Sequence, residues 1–195
     1  KSSNNFTLKN LVEIAELCNQ NKVKTYITLN TIIYDHDLTL MKKIVGTAKK
    51  SGISAIIASD QAVISFASSI NMEVHISTQT NITNLETIRF YSHFADVIVL
   101  SRELSLGQIK EMTNAIKNQQ IKGPSGNLIQ IEIFAHGALC MAVSGKCYLS
   151  LHTTNSSANR GACIQNCRKT YTVTDTEDGH QFEIDNEYIM SSKDL

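Results

Sequence analysis

Ile53–Leu100 reads ISAIIASDQAVISFASSINMEVHISTQTNITNLETIRFYSHFADVIVL. Three short apolar runs, Ile53–Ala58, Met72–Ile76 and Asp96–Leu100, are too short for helices and rich in β-branched residues, so they predict strands. Between them, Gln61–Ser69 and Leu85–Phe94 carry apolar residues at helical spacing. Asp60 stands where a cap of the first of these helices belongs. Strand, helix, strand, helix, strand is the pattern of parallel βα units.

The pattern continues outward in both directions. Upstream, Asp37 opens a helix that runs to Lys50 and stops at Ser51-Gly52. Before it, Lys24–Leu29 predicts a strand. Before that, Thr7 caps a helix carrying Leu8, Leu11, Val12, Ile14, Ala15 and Leu17, with Cys18 near its end as a small core residue. Downstream, Ser105–Asn118 is helical, Gly123-Pro124-Ser125-Gly126 is a turn and Leu128–Phe134 is a fifth strand. Five nearly continuous apolar strands alternate with four helices. The expected fold class is α/β, a parallel sheet with both faces covered. Eight strands would close a barrel. This chain supplies five, with Glu187–Met190 as a sixth candidate. Tyr171–Val173 and Gln181–Ile184 flank an acidic turn around Asp178-Gly179 and predict a hairpin.

The 195 residues carry 42% hydrophobic content, enough to bury a sizeable core. Formal net charge is zero, so RNA contact would need a local cationic patch. No apolar run reaches membrane-spanning length, and the start, KSSNNFTLKN, has no signal-peptide core. The expected setting is the reducing cytoplasm, with no membrane partner.

Glu132–Arg168 holds four of the five cysteines, Cys140, Cys147, Cys163 and Cys167, spaced C-x6-C-x15-C-x3-C. Between His136 and Tyr171 there is no Asp or Glu, whereas Lys146, Arg160, Arg168 and Lys169 are cationic. Cations favour the thiolate, the ligating form. Only Cys163 and Cys167 are as close as a zinc knuckle requires. The wide spacing suits an iron–sulfur site, whose anionic cluster such a loop would complement. Zinc, two disulfides or four buried thiols remain the alternatives.

Strand ends in parallel α/β folds collect functional residues. Here they give Asn30 and Thr31, Ser59 and Asp60, Ser77 to Gln79, Ser101 to Glu103, and His136 with Gly137. Each has a bland counterpart. Asp60 and Ser101 are ordinary helix caps, Asn30 an ordinary loop hydrogen-bonder, and Arg102 and Glu103 ordinary ion-pair partners. The cations of the cysteine loop would equally be a solvated face. No H-E-x-x-H is present, and His136 and Cys140 form no recognised dyad.

Several segments carry a family likeness. Glu132-x-Phe134-x-His136-Gly137-Ala138-Leu139-Cys140, then Ser144-Gly145-x-Cys147-x-x-Ser150, then Asn159-Arg160-Gly161-x-Cys163 and Cys167-Arg168 resemble the signature of the collagenase-like peptidase family U32. Thr28–Thr31, His75–Gln79, Ser101–Leu104 and Ser192–Leu195 match it in order. The resemblance implies a parallel (β/α) barrel, of which this chain would be an internal fragment lacking the first two strands and the last. It would run as a partial barrel over 1–135, a cysteine loop over 136–170, and a hairpin and return over 171–195. The resemblance also implies that Cys140, Cys147, Cys163 and Cys167 hold a 4Fe–4S cluster. The implied activity is either peptide hydrolysis or oxygen-independent hydroxylation of RNA bases or a ubiquinone precursor. Cys163–Arg168 and Ser101–Leu104 most resemble the branch that makes 5-hydroxyuridine at the tRNA wobble position with prephenate as hydroxyl donor. The expected roles are then Arg102, Glu103 and His136 in catalysis, and Asn30, Asp60, Ser77, Gln79, Arg160 and Arg168 in binding tRNA and a small anionic metabolite. A metal-stapled RNA-binding scaffold without catalysis is a further alternative.

Overall fold

A computed structural model of the chain describes residues 6–137, 140 and 142–184. The described residues form two compact units, one of residues 6–133 and one of those from 134 to 184.

The first unit alternates helices and strands as expected: α1 (Leu8–Gln20), β1 (Tyr26–Leu29), α2 (Leu38–Lys50), β2 (Ala55–Ala58), α3 (Gln61–Ser69), β3 (Val74–Ile76), α4 (Leu85–Tyr91), β4 (Val97–Val99), α5 (Leu106–Asn118) and β5 (Gln130–Glu132). Local chemistry sets the helix starts. Thr7 accepts from the Asn10 N–H while Asn10 Oδ1 takes the Thr7 N–H, a reciprocal cap. Ser105 and Gln108 repeat this at α5. The cap there is therefore Ser105 rather than Ser101. At α2, Asp37 occupies the cap position without capping, because its carboxylate accepts the Tyr34 N–H at 3.0 Å. α2 ends at Gly52, whose φ is +75° and where a Cβ would sit 2.8 Å from Asn19 Nδ2. That amide donates to the Ser51 and Gly52 carbonyls and ties the end of α1 to the end of α2.

The five strands are parallel and lie in sequence order, β1-β2-β3-β4-β5. With no reversal in that order, right-handed crossovers carry every connecting helix to the same side. Alternate strand residues Ile27, Leu29, Ile56, Ala58, Val74, Ile76, Ile98 and Ile131 pack into one core with Met41, Val45, Val63, Ala67, Ile88, Met112 and Ile116 of the helices. Each fully buried aliphatic side chain of this kind contributes about 1.5–3 kcal/mol. Within this unit the helices cover one face, and on the other Ala55, His75, Val97 and Val99 are also buried. The opposite face carries Thr28, Ile57, His75, Val97 and Gln130 along one register line. The α/β class and the five parallel strands match the sequence reading, with β1 and β5 at the sheet edges.

In the second unit, α6 (Leu149–Thr154) lies inside the cysteine stretch, where the sequence reading placed only loop. The predicted hairpin forms as β6 (Tyr171–Thr174) and β7 (Gln181–Ile184), antiparallel, closed through Gly179 at φ +76°. Glu187–Met190 and Ser192–Leu195 lie outside the described residues, as do Ala138, Leu139 and Met141 of the cysteine motif.

Candidate functional site

At the C-terminal ends of the strands, side chains from three loops share one hydrogen-bond network. Asn30, after β1, donates through Nδ2 to Ser77 Oγ, after β3, at 3.3 Å. Ser59, after β2, has its Oγ 2.9 Å from the Asn30 carbonyl and 3.1 Å from Gln79 Oε1. The Gln79 backbone N–H donates to Ser77 Oγ at 3.3 Å, and Thr78 Oγ1 donates to the Leu100 carbonyl at the end of β4. Ser77 is buried, and the others are half-buried. The structure therefore brings Asn30, Ser77 and Gln79 together, with Ser59 as their link.

Asp60 contacts two backbone N–H groups. Its Oδ1 accepts the Ala62 N–H at 2.9 Å and caps α3, and its Oδ2 accepts the Ile33 N–H at 3.0 Å. Both oxygens hold backbone, so the capping reading is met, with a loop tie that the sequence did not signal. After β4, the buried Ser101 hydroxyl donates to Glu103. That bond, the Glu103 backbone N–H and the Arg102 guanidinium hold the Glu103 carboxyl below its usual range. Arg102 is half-buried and Glu103 exposed.

His75 belongs to the same side of β3 as Ser77, two residues before it, and is 7% exposed. Its Nε2 is 3.2 Å from Glu73 and its Nδ1 4.0 Å from Glu132 on β5. The Tyr26 ring of β1 lies 5.0 Å away, centroid to centroid. The sequence reading quoted His75 within a motif and gave it no role. The available signal was Glu73, His75 and Ser77 at period two within an apolar run, which marks one polar strand face.

In the second unit, polar side chains hold the backbone around the cysteines. Cys147 N–H donates to Asn159 Oδ1 at 3.1 Å. The buried Ser150 hydroxyl accepts the Ile164 N–H at 3.2 Å, beside Cys163. Buried Asn166 reaches Thr153 through its amide and takes the Tyr171 hydroxyl on its carbonyl at 2.7 Å, beside Cys167. All four cysteines are free thiols; Cys140 is exposed and the other three half-buried. Four unoxidised soft donors in a stretch without carboxylates fit an iron–sulfur cluster in donor chemistry. In spatial arrangement, no three His, Cys, Asp or Glu side chains among the described residues are gathered as metal ligands. His136 and Arg168 are exposed and Arg160 half-buried, all in this unit, whereas Arg102 and Glu103 belong to the first. No helix among the described residues is long and apolar enough to cross a membrane.

The profile of Peptidase family U32 matches residues 1–195. A protein named Collagenase from Porphyromonas gingivalis (strain ATCC BAA-308 / W83) is 57% identical over 195 residues, covering 100% of this chain and 47% of that protein. The tRNA hydroxylation protein P1 of Bacillus subtilis (strain 168) is 31% identical over 201 residues, covering 100% of this chain and 45% of its own. A 23S rRNA 5-hydroxycytidine synthase of Escherichia coli (strain K12) is 36% identical over 172 residues, covering 88% of this chain and 24% of its own. The chain spans about half the length of the first of these relatives. No solved structure matches it. With its whole length matched by the family profile, this chain belongs to peptidase family U32.

Proposed function

We propose that the protein containing this chain is an iron–sulfur enzyme that hydroxylates RNA bases without oxygen, acting on tRNA wobble uridine with prephenate as hydroxyl donor. The observation that carries this reading is the uncharged network of Asn30, Ser59, Ser77 and Gln79 at the strand ends, which suits the edge of a nucleobase. Relatives named for tRNA and rRNA hydroxylation support it. Cys140, Cys147, Cys163 and Cys167 would hold a 4Fe–4S cluster, which supplies one-electron chemistry when bound. Ser150, Asn159 and Asn166 hold the backbone beside three of those cysteines. Metal binding commonly completes folding of such loops, so cluster loading would gather the four sulfurs. Zinc is the alternative metal. Arg102 is the residue for a small carboxylate such as prephenate, since a guanidinium binds carboxylate through two parallel bonds. Arg160 and Arg168 would meet RNA phosphates, and Glu103 and His136 are the remaining catalytic candidates. The open sheet would be part of a parallel barrel completed elsewhere in a longer, cytoplasmic protein.

A second reading, proteolysis, is favoured by the relatives named Collagenase at 57% and 51% identity. One comparison separates the two. The full-length protein is purified without oxygen and assayed for iron and sulfide, and tRNA nucleosides are weighed from strains carrying Cys163→Ala or Cys167→Ala. Brown, iron-containing protein and loss of the 16-dalton increment of one oxygen atom in the variants, about the mass expected for base hydroxylation, support hydroxylation. Colourless protein, unchanged tRNA and gelatin cleavage by the wild type support proteolysis instead.

A further inference from the structure

We infer that Asn30 and Gln79 read an uncharged ligand edge bearing an N–H donor, the Watson–Crick edge of a pyrimidine base; this rests on the RNA reading above. The network is built from loops after three successive strands, so its parts converge only in the folded sheet. None of Asn30, Ser59, Ser77 and Gln79 ionises. A phosphate or carboxylate placed against them would find no countercharge within the network, and stripping its water would go uncompensated. A neutral base edge exchanges its water for amide contacts at little cost.

The hydrogen-bond arithmetic fixes which amide atom faces outward. Ser59 has one hydroxyl proton and two oxygen neighbours, the Asn30 carbonyl at 2.9 Å and Gln79 Oε1 at 3.1 Å. The proton serves the shorter contact. The Gln79 amide then meets Ser59 with its NH2 group after a half-turn that leaves its plane in place. Its oxygen becomes the outward end, an acceptor for a ligand N–H. Asn30 gives one Nδ2 proton to Ser77 and keeps the second for a ligand acceptor. Each amide is thus pinned by a serine before any ligand arrives, which lowers the entropy lost on binding. In uracil the matching donor is N3–H for the Gln79 oxygen, and a flanking carbonyl can accept the second Asn30 Nδ2 proton.

The test uses the full-length protein and two short RNA oligonucleotides, one with uridine at the modified position and one with N3-methyluridine there. Binding is measured for the wild type and for Gln79→Met, which keeps the side-chain length and removes the acceptor. Methylation should weaken wild-type binding roughly 10- to 100-fold, the range for one unmet polar group in such a site. In Gln79→Met the two oligonucleotides should bind within about threefold of each other, since the discriminating atom is gone. Equal wild-type binding of both, or the same discrimination in the variant, overturns the inference and leaves the RNA reading standing. If neither oligonucleotide binds the wild type, the RNA reading falls and takes this inference with it.

Discussion

Replacing Asp60 by Ala tests whether this residue is scaffold or ligand contact. Two backbone N–H groups lose their acceptor at once: Ala62 in the first turn of α3 and Ile33 in the loop after β1. Loss of an N-cap costs typically about 1 kcal/mol. A hydrogen bond from a half-buried N–H to a carboxylate adds about 1.5–3 kcal/mol. The expected total is about 3 kcal/mol. At roughly 4 °C per kcal/mol for a unit of this size, melting should fall by roughly 12 °C. Asp60→Asn retains a capping oxygen, and asparagine caps as well as aspartate, so only the Ile33 contact is lost, at about 1.5–3 kcal/mol. Thermal melting of the full-length protein by circular dichroism, with RNA affinity measured at a temperature where each variant is folded, separates the roles. An Asp60→Ala protein that melts within about 2 °C of wild type but no longer binds RNA would refute the scaffold assignment.

Gly123→Ala should destabilise by about 1–3 kcal/mol, because its Cβ would lie 2.9 Å from the Ala95 carbonyl and the Asp96 Cα, backbone that cannot swing aside; a lowered urea midpoint at unchanged slope checks this. Glu103 carries a depressed carboxyl pKa in the folded state, so its stabilisation is present above the usual 4.5 and is lost as pH falls through the folded value. Glu103 is largely solvated, so the gap between wild type and Glu103→Gln should stay below about 1 kcal/mol at pH 7 and shrink as the pH is lowered below 4.5, as read from urea midpoints across that range. Ser150→Ala leaves the Ile164 N–H without its acceptor. Faster hydrogen exchange at Ile164, by about tenfold or more, is expected, together with lower iron content per chain.

Much of the fold was legible locally. Apolar runs of strand length between helical patterns gave all five strands, and Thr7 and Asp60 gave helix starts, because caps and periodicity are written within a few neighbouring residues. The hairpin followed from Asp178-Gly179 between alternating segments. Local signals were weaker where competing partners sat nearby. Asp37 holds the Tyr34 N–H rather than the helix, and Ser101 gives its proton to Glu103 while Ser105 caps α5. α6 was missed because six residues carry too little periodicity to separate helix from loop.

The amino-acid order alone determined that strands and helices alternate, that polar residues follow each strand, and that four cysteines share one cationic stretch. Tertiary structure decided which of those polar residues meet. Strand order and register put Asn30, Ser59, Ser77 and Gln79 into one network, and set His75 against Glu73, Glu132 and Tyr26 from three strands. They also left Asp60 holding its own helix and a loop. The reason is that periodicity and capping are contacts between near neighbours. A site joining positions 49 and 57 residues apart, as Tyr26–His75 and His75–Glu132 do, exists only after the crossovers have fixed the order of the strands.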